Sequence, residues 1–213
     1  ETRDVRPSGV RDDFTPEVKY LATSASGVFE KVDQTRVLLL TREYLLDVFQ
    51  AASPTPRVYD YLLHSFGKPR PAHPELFQPS QALDKRFWLG SDRRAMTTDG
   101  PWALDFVLQE EPGSRKGKYG PEWYDHRAAV RVTMAGEPST LVTHGISGIE
   151  LGREVNRTFD PLGMLIARRA GVRRTVFAVA HEPYAHEARP QITAVTKVAE
   201  GDDAVLVRVD GKD

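Results

Sequence analysis

The apolar runs of this chain are short, rich in Val, Leu and aromatics, and separated by clusters of Gly, Pro, Asp and Ser. That rhythm fits many successive strands and leaves no long segment with a helical period. The clearest case is Arg127 to Met134, where Ala128, Val130, Val132 and Met134 alternate with Arg127, Arg131 and Thr133 as in a half-buried strand. Arg36 to Leu40 and Tyr44 to Phe49 flank Thr41-Arg42-Glu43. Leu165 to Arg168 and Thr175 to Ala180 flank Ala170-Gly171-Val172. Ile192 to Val198 and Ala204 to Val209 flank Glu200-Gly201-Asp202-Asp203. Each of these three pairs reads as a hairpin. Val18 to Thr23, Val58 to Phe66, Trp102 to Leu108 and Leu141 to His144 add further strands. Roughly a dozen strands exceed what one open sheet carries without curling, so the expected fold is all-β: a two-sheet antiparallel β-sandwich with little helix.

The length of 213 residues suffices for one large core, and a single domain over residues 1–213 is the expectation, with residues 1–17 irregular. Two segments break the strand pattern. Lys68 to Pro79 holds four prolines and is expected as a surface excursion, because each proline removes a ladder donor. Glu110 to Glu122 is polar and glycine-rich and reads as a long loop or hairpin tip.

Charge narrows the function classes. With 29 basic and 30 acidic residues the net charge is −1, so no global field points to nucleic acid or a membrane surface. No cysteine is present, which removes disulfides and thiolate metal sites. No phosphate-cradling glycine loop and no G-x-S-x-G elbow occurs, and no run approaches the roughly 18 apolar residues of a membrane-spanning helix.

The candidate chemistry lies with polar residues set into the strands. The histidines are His64, His73, His126, His144, His181 and His186, and none forms H-x-H or H-E-x-x-H, so local spacing shows no metal site. In VYDYLLHSF, alternation places Asp60, Leu62, His64 and Phe66 on one face. Asp60 could orient His64 for proton transfer or binding, yet four strand residues span about 13 Å, so contact would require a bend. The alternative pairs Asp60 with a neighbouring strand and leaves His64 at a strand end. His181-Glu182-Pro183-Tyr184 follows an apolar run, and its proline is expected to stop the strand and leave His181 and Tyr184 either presented to ligand or simply packed. Arg168, Arg169, Arg173 and Arg174 straddle the second expected turn and would form a cationic tip able to meet a carboxylated sugar, or a solvated cluster. Trp88, Trp102 and Trp123 are either sugar-stacking platforms or core.

DYLLHS (Asp60 to Ser65), LIARR (Leu165 to Arg169) and FAVAHEPY (Phe177 to Tyr184), in this order, resemble the C-terminal β-sandwich of heparinase II/III-like polysaccharide lyases, a group that includes the oligo-alginate lyases. The resemblance runs from about Val18 to the C-terminus. It implies a larger enzyme in which a helical toroid precedes the sandwich and uronic-acid glycans are cleaved by β-elimination. It also implies a periplasmic or secreted location and an acidic polysaccharide or oligosaccharide as partner, with the toroid as a second. Exposed sheet edges would favour a homodimer. The family's catalytic Tyr, its His or Asn, and the H-x-H segment that supplies a catalytic histidine and, in several members, zinc ligands have no counterpart here. The chain is therefore expected to be a C-terminal fragment, inactive alone, in which no cofactor site is visible, and which supports the cleft or an oligomer interface. His64 is the one catalytic candidate, with Asp60, His64, His181, Tyr184, Arg168 and Arg169 as substrate-binding candidates. An autonomous, non-catalytic carbohydrate-binding sandwich is the alternative.

Overall fold

The computed structural model describes residues 9–81, 89–108, 128–147, 162–185, 188–201 and 204–212. It is a mostly β structure in which two unusually long strands organise everything else. β4 (Leu45–Phe66) has 22 residues and β11 (Leu162–Ala185) has 24. They run antiparallel along nearly their whole length, from Leu162 opposite Phe66 to His181 opposite Leu45.

This central pair is bent, and each half belongs to a different layer. The first half of β4 continues through β3 (Asp33–Leu40), β2 (Lys19–Ser26) and β1 (Gly9–Phe14). On the other side, the second half of β11 continues through β9 (Ala128–Met134) and β8 (Trp102–Val107) to β5 (Lys68–Pro71). The other halves lead through β10 (Thr140–Ser147) and β7 (Leu89–Thr98) to β6 (Gln78–Pro79). The two layers are thus arms of one 11-stranded hydrogen-bonded sheet folded on itself. Trp102, Leu104, Phe106, Val132 and Phe177 from one arm meet Tyr61, Met96, Val142 and Leu165 from the other in a single buried cluster.

A separate two-stranded ribbon, β12 (Ile192–Glu200) with β13 (Val205–Gly211), lies on the back of one arm. Ile192 and Val195 pack there against Ala135, Ala178 and Ala180. Ala178 and Ala180, small side chains on β11, let the ribbon sit close to that face.

Several sequence expectations change here. Leu165 to Arg168 and Thr175 to Ala180 are not the arms of a hairpin: both belong to β11 and both pair with β4. Gly171, at φ +73°, bends the strand without reversing it, and the register slips on either side of Val172. Opposite it, β4 advances from Ala52 to Arg57 while β11 moves only from Arg174 to Val172. That bulge holds Pro54 and Pro56, which lack the donors a regular ladder would require. The same bulge joins Tyr44 to Phe49 and Val58 to Phe66, expected as separate strands, into β4. Pro183 does not stop β11, which continues to Ala185 on β9. The ladder to β4 has already ended at Leu45, so the missing N–H falls on a one-sided stretch.

Residues 9–14 form β1 rather than an irregular lead, and the 89–98 strand lacked an apolar signal in SDRRAMTT. The proline-rich segment supplies two short edge strands and a 3-10 turn at Pro74–Leu76, as its proline content allows. The first and third hairpins stand as read. Glu110 to Glu122, Arg127, Trp88, Trp123, His126 and His186 lie outside the described residues.

Gly67, at φ +102°, makes the turn from β4 into β5, and a Cβ there would stand 2.6 Å from the Val107 carbonyl oxygen. A Cβ at Gly171 meets nothing within 4 Å. Gly171→Ala is therefore expected to cost only the positive-φ penalty, about 1–2 kcal/mol, and Gly67→Ala more, since backbone must also move. Urea denaturation of the two variants checks the order.

Candidate functional site

Among the described residues, a four-residue chain of polar side chains bridges the two halves of β4. Asp47 sits in the apolar run LLDVF, and alternation turns it inward, where it is 1% exposed. A buried carboxylate needs partners. Arg36, across from β3, donates Nε to Oδ1 at 3.0 Å and Nη2 to Oδ2 at 2.7 Å. From the other arm the Tyr61 hydroxyl donates to Asp47 Oδ2 at 2.9 Å. His181 Nε2 lies 3.0 Å from the Tyr61 oxygen. Because the tyrosine proton is committed to Asp47, His181 donates through Nε2–H and keeps Nδ1 unprotonated.

The electrostatics follow from burial. Desolvation, then the Asp47 charge, pushes the Tyr61 hydroxyl far above its usual range. Desolvation holds His181 below the ordinary imidazole value, with Asp47 opposing the shift and Arg36 assisting it. Tyr61 also stacks at a tilt on Phe177, with ring centroids 5.7 Å apart. Both partners of the Tyr–His pair are thereby held neutral, and the tyrosine is turned away from use as a base near neutral pH. The arrangement suits a fixed tie between the arms of the sheet.

The sequence candidates separate from one another. Asp60, Leu62, His64 and Phe66 do share the outer face, but Asp60 is taken by the opposite strand. Arg168 donates Nε to Oδ1 at 2.7 Å and Nη2 to Oδ2 at 2.9 Å. His64 is exposed, and partial desolvation by the strands around it keeps its pKa below the ordinary value. The Asp60–His64 couple therefore does not form.

The arginines do not make a cationic tip. Arg169 is 2% exposed inside the core, lies 4.2 Å above the Phe177 ring, and donates to Thr140 Oγ1, Thr175 Oγ1 and the Val176 carbonyl. Desolvation pushes its guanidinium down to about 10 against the pull of Glu137 and Glu200, so it stays charged at neutral pH. Arg174 pairs with Glu200 at 2.8 Å, and only Arg173 points into solvent among the four.

His181 and Tyr184 face opposite ways. Tyr184 lies beside Asp105, which Arg131 holds in a two-point ion pair at 2.8 and 2.7 Å, and burial followed by the Asp105 charge pushes its hydroxyl up to about 12. Between them the Glu182 carboxylate accepts the backbone N–H groups of Gln191 at 2.5 Å and Ile192 at 3.0 Å, fixing the start of β12. Trp102 is buried and belongs to the core cluster. Among the described residues no three His, Cys, Asp or Glu side chains could hold a metal ion together. The zinc that the sequence resemblance implies belongs to the larger enzyme, and its donor set is not found among the described residues.

His144 is set apart from all of these. It is 4% exposed, stands edge-on to Phe77 at 4.9 Å, and neither ring nitrogen has a hydrogen-bond partner among the described residues. Desolvation and the nearby Arg94 charge push its pKa down to about 4.

No family model matches the chain, and no curated protein matches it. Solved structures do. Heparinase III superposes on 99% of the chain at a TM-score of 0.55 with 5% identity, over 27% of its own length. The chain has the fold of one sub-domain of heparinase III. Heparan sulfate lyase HepC from Pedobacter heparinus matches 98% of the chain at a TM-score of 0.47 and 12% identity, and a lysine-methylated heparinase III matches 95% at 0.49 and 11%. The chain spans about a quarter of the length of these structures, 26% in both cases. At such identities the heparinase III likeness concerns the path of the backbone alone.

Two outcomes test these assignments. Tyr61→Phe leaves the Asp47–Arg36 pair but strips its third donor and the acceptor of His181, and is expected to cost about 1–3 kcal/mol in chemical denaturation at pH 7. His144 has a folded pKa below its unfolded value, so the unfolded chain binds the extra proton. Its contribution is complete above about pH 6.5 and is lost as pH falls through about 4. The stability of wild type relative to His144→Leu is expected to fall by about 3 kcal/mol from pH 7 to pH 4. A constant difference would remove His144 as a source of acid sensitivity.

Proposed function

We propose that the chain is the β-sandwich portion of a heparinase II/III-like polysaccharide lyase, which cleaves uronic-acid-containing glycans by β-elimination, and that it supports the substrate cleft without performing the elimination. The observation that carries the reading is the heparinase III backbone, followed over 99% of the chain while only 27% of that enzyme is matched. The side chains are consistent with a supporting part. Asp47, Tyr61, His181 and Arg169 are committed to partners within the core, and His64 stands exposed without the carboxylate that would orient it. Export to the periplasm or beyond is part of the same proposal, because a polysaccharide substrate lies outside the cell. Alginate and heparan-type chains are both eligible substrates.

The test follows absorbance of the unsaturated uronate product over a panel of uronic-acid polysaccharides. The full-length protein encoded around this sequence is compared with the isolated chain. Elimination by the full-length protein alone is expected. Full-length protein carrying His64→Ala should retain turnover, because no described residue orients that ring as a base and Asp60 is held by Arg168. Loss of turnover with an unchanged melting temperature would instead assign the proton transfer to this chain. Absence of elimination on every uronate tested would overturn the lyase reading and leave a binding sandwich in its place.

A further inference from the structure

The bulge that bends β4 also opens a pocket of about 340 Å³ between that strand and the turn joining β2 to β3. That volume falls at the lower end of the range of ligand pockets, about 300–1,000 Å³, and has room for one sugar residue. Two kinds of side chain line it. Phe29, Val58 and Tyr59 supply apolar surface, with Phe29 62% and Val58 54% exposed at the rim. Gln34, Arg57 and Asp60 supply polar groups.

The polar groups are not equally engaged. Asp60 is neutralised by Arg168. Arg57 donates Nε to Ser53 Oγ at 3.0 Å and Nη2 to the Glu30 carbonyl at 2.8 Å. Both acceptors are neutral, so the Arg57 charge has no carboxylate partner among the described residues. The Gln34 amide, half-buried on β3, makes no side-chain hydrogen bond there either. A guanidinium without a counter-charge and a free amide, set beside exposed aromatic and aliphatic surface, match a ligand that is apolar on one face, hydroxylated at its edge and anionic at one point.

We infer that this pocket binds a single uronate residue of an acidic oligosaccharide. Arg57 meets the carboxylate, Gln34 meets ring hydroxyls, and Phe29 packs on the C–H face of the sugar. The choice of glycan rests on the lyase reading above, whereas the demand for an anionic, hydroxylated ligand comes from the pocket itself. The site would hold substrate away from the reacting bond, as a subsite that lengthens residence of the polymer.

The test is calorimetric titration of the protein with a uronate tetrasaccharide and with its carboxyl-reduced, neutral counterpart. The expected result is binding of the acidic sugar, at least tenfold weaker binding of the neutral one, and at least tenfold weakening by either Phe29→Ala or Gln34→Ala. Leu206→Ala, at an exposed position of β13, should change nothing. Melting temperatures establish that the variants are folded; neither Phe29 nor Gln34 belongs to the buried core. Undiminished binding in both pocket variants, equal affinity for the neutral sugar, or no binding at all would each overturn the inference. The outcomes also stand apart from the lyase question. Pocket-dependent binding without elimination by the full-length protein would sink the lyase reading alone, while elimination with no pocket dependence would sink only the subsite.

Discussion

The bent ladder between β4 and β11 is the constraint on which the rest of the structure depends. Every other strand of the large sheet reaches the core through one of these two, directly or through a neighbour. A pair of long strands cannot both stay regular and serve two layers, so the bend has to be built into the backbone. β11 does this with Gly171, and β4 with a proline-bearing bulge between Ala52 and Arg57. Once the pair is bent, its inner faces oppose each other, and side chains separated by many residues along one strand come within hydrogen-bonding distance. Tyr61 reaching Asp47 on its own strand is the direct result.

That geometry explains why charged groups lie so deep. Folding one sheet on itself brings polar residues of both arms inward at the crease, where the desolvation of a lone charge would be prohibitive. Asp47 is stabilised by Arg36 and Tyr61, and Arg169 by two threonine hydroxyls, a carbonyl and the face of Phe177. Networks of this kind contribute to uniqueness as much as to stability, because any slip of the β4–β11 register would strand a buried charge.

Much of this was legible in the sequence, and the failures have specific causes. Period-two alternation located most strands, and the face shared by Asp60, Leu62, His64 and Phe66 is as alternation predicts. Glycine beside arginines at 168–174 looked like a turn, since local chemistry cannot tell a reversal from a bulge. The difference lies in what pairs across it, which is β4, about a hundred residues away. The roles of Asp47 and Arg169 carried a usable signal: each is a charge at the inward phase of an apolar strand, LLDVF and LIARR. Tyr61 and Arg36 carried none, because an exposed and a buried member of a network look alike until the arms meet. The pocket beside the bulge was likewise invisible, being made by the bend rather than by a motif, although Asp60 at its wall was already a candidate.

The central ladder also shapes how the chain must come into being. The residues of β4 meet their β11 partners only after the intervening chain has been made, a separation that runs from Phe66 and Leu162 to Leu45 and His181. At a synthesis rate of ~5–20 residues per second, one edge of β4 waits on the order of 5–25 seconds for its partner. During that interval β3 covers only one side of its first half, and the apolar second half, DYLLHSF, is a bare strand. A nascent chain of this design is therefore most vulnerable midway through synthesis, until β11 emerges to cover that edge.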